Sequence, residues 1–443
     1  MLKLVLGASG SGKTTLLYAR IRARAEAGKR SILLVPEQFT SSTEARIYRE
    51  LGDALSGMVE SYSFTSLAEH ILAVEGGAAV QTLTDAGRAV LVRRALEELQ
   101  DNVHYYYRHR RSAAFCQMAA ETIDELKSAG LSGQQLQELA RDCGTESAKL
   151  GELALIFQGY ESLLAGTGMD PADRLELAAD RLEAALARDE LPDFLREREV
   201  FIDEFDTFNA PKKRLMGAML AALPAVTVAL CEDGAPMQPG DLELFSGAKQ
   251  VAAQLRQLAR KNGAQVAAPE LLRRDLRHKD APGLAALTEL LETGSCTPPE
   301  SAPELRLFAA ASREEEARCA AAAIRRLMRQ GVRCGKIAVV CRDISLYRAA
   351  VRYEFRMAEI PLYCDEPTTP EFSAPATAVR ALLALLRGAD MTEQLTVLAK
   401  TGLCALTEPE VCALENYAYT WSPNAAAWRA EFTKSPGASA MPS

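Results

Sequence analysis

Over the first 75 residues, short unbroken apolar runs alternate with helix-length amphipathic stretches. Leu2 to Leu6 (LKLVL) is a mostly apolar run of strand character, Ser31 to Pro36 (SILLVP) reads as a buried strand closed by Pro36, and Val59 to Ser63 (VESYS) as a third strand. Between them, KTTLLYARIRARAEAG, closing at Gly28, and EQFTSSTEARIYREL carry helical spacing. Ser41, Ser42 or Thr43 is available to cap the second of these helices. FTSLAEHILAVEG follows the third strand as another helix. Strand and helix in strict alternation predict a parallel sheet.

The pattern changes between about Gln81 and Arg196, where only amphipathic helical runs occur. LTDAGRAVLVRRALEEL opens on a Thr84–Asp85 cap signal, and four further helical segments follow in the same style, ending with PADRLELAADRLEAALAR. Strand character returns at Glu199 to Asp203 (EVFID) and at Ala225 to Leu230 (AVTVAL), with a helix near Ala210 to Ala222 between them. Leu242 to Asn262 reads as a further helix. These patterns predict a discontinuous first domain, residues 1–80 and 197–292, interrupted by an all-helical insertion at 81–196.

Residues 293–304 (TGSCTPPESAPE) read as a linker. Beyond it the alternation restarts: strands at Leu305 to Ala309 and Lys336 to Arg342, a short one at IPLYC, and helices at 313–329 and 344–357. Residues 305–390 are expected to begin a second α/β domain. A helix is expected at about 373–388, and helices at 391–402 and 407–421 are expected to form the truncated start of a second helical insertion over 391–443.

Composition leaves this picture in place. The 443 residues are 48% hydrophobic and 25% charged, as in an ordinary globular protein. A net charge of −8 gives no global basic field, so any nucleic-acid contact has to come from local patches. No apolar run has the length of a membrane span. The sequence starts directly on a strand, so no signal peptide is expected. Ten cysteines form no C-x-x-C pair and four histidines show no metal-binding spacing. Reduced cysteines in a cytoplasmic protein are the expectation.

Chemistry concentrates at Gly7 to Thr14, GASGSGKT, which fits G-x-x-x-x-G-K-[ST] between a strand and a helix. Gly7, Gly10 and Gly12 permit backbone N–H groups to turn toward a phosphate chain, and Ala8, Ser9, Ser11 and Thr15 complete the loop and first helical turn. Lys13 is expected on the β- and γ-phosphates of ATP, and the Thr14 hydroxyl on Mg²⁺. VFIDE, Val200 to Glu204, supplies the matching acidic strand end, with Asp203 toward Mg²⁺ and Glu204 as the catalytic group orienting water. A glycine turn and a structural acidic strand end are the plain alternatives.

Other candidates are weaker. Arg342, after IAVVC, is either a phosphate contact or a surface arginine. HYYYRHRR, residues 104–111, mixes aromatics and cations as single-strand binders do, or is a solvated loop. RRDLRHKD, residues 273–280, reads as a charged surface face. Pro36-Glu37-Gln38 and Ser63, Thr65 and Ser66 sit where ligands meet parallel sheets, yet also suit helix caps.

Together GASGSGKTT, LLVPEQFT, SYSFTSLAEHIL, LTDAGRAVLVRRALEE, VFIDEFDTF and LENYAYTW resemble the N-terminal half of the AddB/RexB family. That family provides one of the two subunits of bacterial helicase–nucleases related to UvrD-like superfamily 1 helicases. The resemblance implies two RecA-like P-loop domains with helical insertions and ATP·Mg²⁺ binding. It further implies an AddA-like partner subunit, single-stranded DNA as ligand, and work at double-strand breaks in recombinational repair. Matching IAVVCRD to a helicase motif makes Arg342 a nucleotide contact. The nuclease and its iron–sulfur cluster are expected only beyond residue 443. Asp203-Glu204 is fuller than the family's often degenerate acidic motif. This keeps a stand-alone DNA-dependent ATPase or helicase as the alternative.

Overall fold

The computed structural model describes residues 1–77, 81–236, 244–364 and 370–434, without the side chains of Ser41 and Glu371. The chain divides into two compact units, Met1–Arg306 and Leu307–Ser443.

The first unit is an α/β structure around a six-stranded sheet in which every pairing is parallel. Its strands are β1 (Leu2–Gly7), β2 (Ser31–Leu34), β3 (Val59–Tyr62), β4 (Glu199–Ile202), β5 (Ala225–Cys231) and β6 (Glu270–Leu272), in the order β3-β2-β4-β5-β1-β6. The helices of this unit are α1 (Lys13–Glu26), α2 (Thr40–Leu51), α3 (Asp53–Ser56), α4 (Phe64–Glu75), α5 (Asp85–Glu98), α6 (Ala113–Ser128), α7 (Gly133–Ala140), α8 (Ser147–Leu164), α9 (Pro171–Ala187), α10 (Ala210–Ala222), α11 (Ser246–Lys261) and α12 (Pro282–Thr293).

Both faces are covered at the sheet's centre, which is why β1, β2, β4 and β5 are near-continuous apolar runs rather than alternating ones. Val5, Leu33 and Phe201 point into a core shared with Leu17 and Ile21 of α1 and Ile47 of α2. Their neighbours Leu4, Ile32, Val200 and Ile202 point the other way, into a larger core with α4, α9, α10 and α11. The buried Glu199 is held by Lys3 at 2.7 Å, Arg24 at 3.2 Å and the Thr227 hydroxyl at 3.0 Å, so opening β4 on a carboxylate leaves no unpaired charge inside.

Helices α5, α6, α7 and α8 close over a separate core of Leu91, Val92, Ile123, Ile156 and Phe157. Thr84 caps α5 as its sequence suggests, accepting from the Gly87 amide at 3.2 Å. Helix α9 belongs to the sheet instead: Leu175, Ala178, Ala179 and Leu182 pack in the sheet's larger core. Lys127 of α6 joins the two bodies through Asp170 at 2.9 Å and Asp173 at 2.8 Å.

Local differences from the sequence reading have physical causes. Helix α2 starts at Thr40 with no side-chain cap, because the Thr40 and Ser42 hydroxyls bond back to the Glu37 and Phe39 carbonyls. Helix α11 starts at Ser246, and the expected start at Leu242 lies outside the described residues. Strand β6 escaped the sequence reading because three residues are too few to show a period.

In the second unit, α-helices span Arg313–Arg329, Ile344–Met357, Ala374–Leu386, Met391–Lys400 and Glu408–Trp421. Its small core gathers Ala317, Ala321, Ile324, Val351, Phe355 and Ile360. The expected strands at 305–309, 336–342 and 360–364 are extended or turn segments outside any sheet. A strand needs a paired neighbour for its N–H and C=O groups, and among the described residues of this unit none is present. Leu307 and Val340 are accordingly exposed.

Candidate functional site

Strand β1 delivers the loop Ala8–Gly12 from between β5 and β6, and α1 begins at Lys13. Gly10 and Gly12 have φ of +82° and +90°, left-handed values that a side chain would strain. A Cβ on Gly7 would stand 2.4 Å from the Ser11 hydroxyl and 2.8 Å from the Leu272 carbonyl, so this backbone passes its neighbours too closely for any side chain. Helix α1 has Gly12 as its N-cap, no side-chain cap and no acidic residue in its first turn. Its first amides and positive dipole end are therefore open to an anion. The Ser11 hydroxyl is buried without a hydrogen-bond partner among the described residues. Lys13 folds back to donate to the Gly7 carbonyl at 2.7 Å and the Ala8 carbonyl at 2.8 Å. Burial pulls the Lys13 ammonium below its usual range; Cys231 and Asp203 act against that shift, and Arg277 adds to it.

Arg277 is the residue that sequence reasoning missed. The basic stretch after β6 is exposed, as its charge suggests, and it also lies on the glycine loop. The Leu276 amide donates to the Gly10 carbonyl at 3.0 Å. The Arg277 guanidinium donates to the Ser9 hydroxyl at 3.2 Å. Asp275 fixes this turn by accepting from the Arg277 and His278 amides at 3.0 and 3.1 Å and by meeting the His278 ring at 2.8 Å. An Arg20–Glu270 ion pair ties β6 to α1. The signal available in the sequence was Leu271-Leu272, an apolar pair directly before the basic run.

The acidic side of the site comes from β4, two strands from β1. Asp203 is buried, its amide donating to the Leu34 carbonyl at 3.1 Å. Glu204 adopts φ +65°, and its amide donates to the Asp203 carboxylate at 3.0 Å. Burial, with the charge of Asp203, raises the Glu204 carboxyl above its usual value, and Arg46 partly opposes this. Thr14, Asp203, Glu204, Asp206 and Arg46 line one cleft of about 600 Å³. In the same cleft Arg46 lies 4.9 Å from the centre of the Tyr18 ring. Burial pushes the Tyr18 hydroxyl up to about 12. Thr15 lies on the first turn of α1, and Arg342 is an exposed residue of the second unit, just before the N-cap Asp343.

A second cleft, of about 360 Å³, opens at the ends of β2 and β3. Pro36, Gln38, Thr65, Phe205, Asn209 and Lys212 line it. Here the cap reading of Ser63 holds: its hydroxyl accepts from the Ser66 amide at 3.1 Å, and Ser66 returns the bond to the Ser63 amide at 2.8 Å.

Comparison with known proteins matches residues 4–288 to the family described as "ADDB, N-terminal". The chain belongs to the AddB family. A protein of Desulforudis audaxviator, named as the B-type subunit of an ATP-dependent helicase/deoxyribonuclease, is 32% identical over 96% of this chain. Proteins of the same name from Moorella thermoacetica and Symbiobacterium thermophilum are 31% and 30% identical, each over 97% of it. The chain spans 37% of the length of the first AddB relative and 38% of the other two. Among the described residues, no helix is long and apolar enough to cross a membrane.

Proposed function

We propose that this chain is the P-loop, helicase-like part of an AddB-type protein, binding ATP·Mg²⁺ and single-stranded DNA in double-strand-break repair by homologous recombination. It would act with an AddA-like partner subunit in the cytoplasm. The observation that carries the reading is the convergence of Lys13, Arg277 and the open start of α1 on one glycine loop. Three sources of positive potential around a backbone cradle suit a polyphosphate better than any neutral ligand. The unpartnered Ser11 hydroxyl and the side-chain-free path at Gly7 fit such an occupant.

Phosphates in the loop would draw Lys13 off the Gly7 and Ala8 carbonyls and Arg277 off Ser9, exchanging neutral acceptors for charged ones. Gly7 to Thr15 would wrap the phosphate chain. Thr14 and Asp203 would hold Mg²⁺, which when bound offsets charge on the β- and γ-phosphates. Glu204, beside them in the cleft, would orient water.

One observation favours the alternative of a working DNA-dependent ATPase: Asp203 and Glu204 both line the cleft that Thr14 borders, where a water-orienting carboxylate is needed. Phosphate release with and without single-stranded DNA separates the two. Nucleotide binding without turnover supports the binding role. Turnover lost in Glu204→Gln supports the ATPase. Absence of nucleotide affinity refutes both.

A further inference from the structure

We propose that the helical insertion carries its own single-stranded DNA platform at residues 104–111, where Tyr105 offers a base-stacking face in a segment that also exposes Arg108 and Arg111. This rests on the DNA-binding reading above and gives that ligand a second place to bind.

The platform is preorganised. Glu152 of α8 accepts from three successive amides: His104 at 2.9 Å, Tyr105 at 3.0 and 2.8 Å, and Tyr106 at 3.1 Å. Tyr106 stacks on Phe115 with ring centres 5.5 Å apart, and Arg110 lies 3.9 Å over the Tyr107 ring. These contacts fix the backbone and occupy the Glu152 carboxylate with amides. Held in this way, the segment leaves His104, Tyr105, Arg108, His109 and Arg111 exposed, Tyr105 by 54%. Lys149 stands 5.4 Å from the Tyr105 ring centre, and its own acidic neighbour Glu146 is already paired with it at 2.9 Å.

Charge and chemistry select the occupant. From Val103 to Ala120 the sequence holds no carboxylate, within a chain of net charge −8. Arg108 and Arg111 form no ion pair among the described residues. An exposed aromatic face beside the Lys149 ammonium, in a segment that also exposes Arg108 and Arg111, matches a phosphodiester backbone with unstacked bases, since cations follow the phosphates and each base offers a π-face. Duplex DNA offers the same phosphates but keeps its bases stacked, and an acidic protein surface has no bases to stack.

The test uses the full chain, a fluorescent oligothymidylate and a matched oligonucleotide with abasic sites. Tyr105→Ala should weaken oligothymidylate binding about 5- to 100-fold, and Tyr105→Phe should retain it. The abasic strand should bind the parent chain more weakly than oligothymidylate, and the two strands should bind Tyr105→Ala alike. Arg108→Glu with Arg111→Glu should lower affinity and flatten its dependence on log salt by about 1.4, two phosphate contacts on a single strand. Thermal melts and nucleotide affinity should not move, as these side chains are exposed and none of them lines the cleft of Thr14, Asp203 and Glu204. Parent-like binding by all these variants overturns the platform, and loss in Lys212→Ala alone would then place DNA in the other cleft. Equal binding of polyglutamate overturns the stacking role. Failure of the parent chain to bind any oligonucleotide overturns the DNA reading itself, and the platform with it.

Discussion

Arg277 donates to the hydroxyl of Ser9, 268 residues away in the chain, at 3.2 Å. That bond closes the first unit's sequence on itself. The glycine loop after the first strand and the basic turn after the sixth form one surface, although strand β6 pairs with β1 over only three residues.

If Arg277 is a phosphate contact, Arg277→Ala lowers nucleotide affinity by about 10- to 100-fold, the usual worth of a hydrogen bond to a charged group. Arg277→Lys restores only part of it, because an ammonium cannot reproduce the planar fork. The fold is unaffected, since the Leu276–Gly10 backbone bond remains. Titration of a fluorescent ATP analogue against each variant, with thermal melts alongside, measures both parts.

Gly10→Ala separates the two roles of the glycine loop. Its Cβ would meet the Asp275 carboxylate at 2.8 Å and the Arg277 Cβ at 2.9 Å, at a φ of +82°. The backbone alone costs about 1–2 kcal/mol there. We expect a lower melting temperature together with a nucleotide affinity at or below that of Arg277→Ala. Wild-type values for both would show that the turn after β6 moves away freely.

The joint between the helical core and the sheet rests on Lys127, whose side chain is 8% exposed. Asp170, which also accepts from the Tyr160 hydroxyl at 2.7 Å, loses its cation in Lys127→Met. An uncompensated buried carboxylate costs about 3–5 kcal/mol, so chemical denaturation should show a loss of that order. Adding Asp170→Asn should recover part of it.

The edge strand β3 gives a pH prediction. Burial alone would raise the Glu60 carboxyl, but Arg198 at 2.6 Å and the Tyr62 hydroxyl at 2.8 Å outweigh it and hold it below its ordinary value of 4.5. A carboxyl lowered on folding contributes stability that is full above the unfolded value and is lost as pH falls through the folded one. The stability gap between wild type and Glu60→Gln should therefore be constant near neutrality and close only below pH 4.5. A gap that closes above that pH would contradict the pairing.

The sheet was legible where both faces are buried. LKLVL, SILLVP, EVFID and AVTVAL are apolar enough to show as strands without any period, and the glycine motif lies at the end of the first of them. What stayed hidden depends on distant partners. Glu270–Leu272 becomes a strand only because β1 lies beside it, and Arg277 reads as a surface charge until that pairing brings it to Ser9. Conversely, Leu307 and Val340 have strand composition but no described neighbour to pair with. Helix α9 has the amphipathic pattern of its neighbours, and nothing local to it tells that its apolar face meets the sheet.

The central claim is that the glycine loop, Lys13 and Arg277 form one polyphosphate site. Calorimetric titration of Mg·ATP into the full chain, beside Lys13→Ala, tests it most directly. We predict a single saturable site in the wild type, weakened at least about tenfold in Lys13→Ala by loss of a charged hydrogen bond. No heat of binding in the wild type, or equal affinity in Lys13→Ala, would contradict the account.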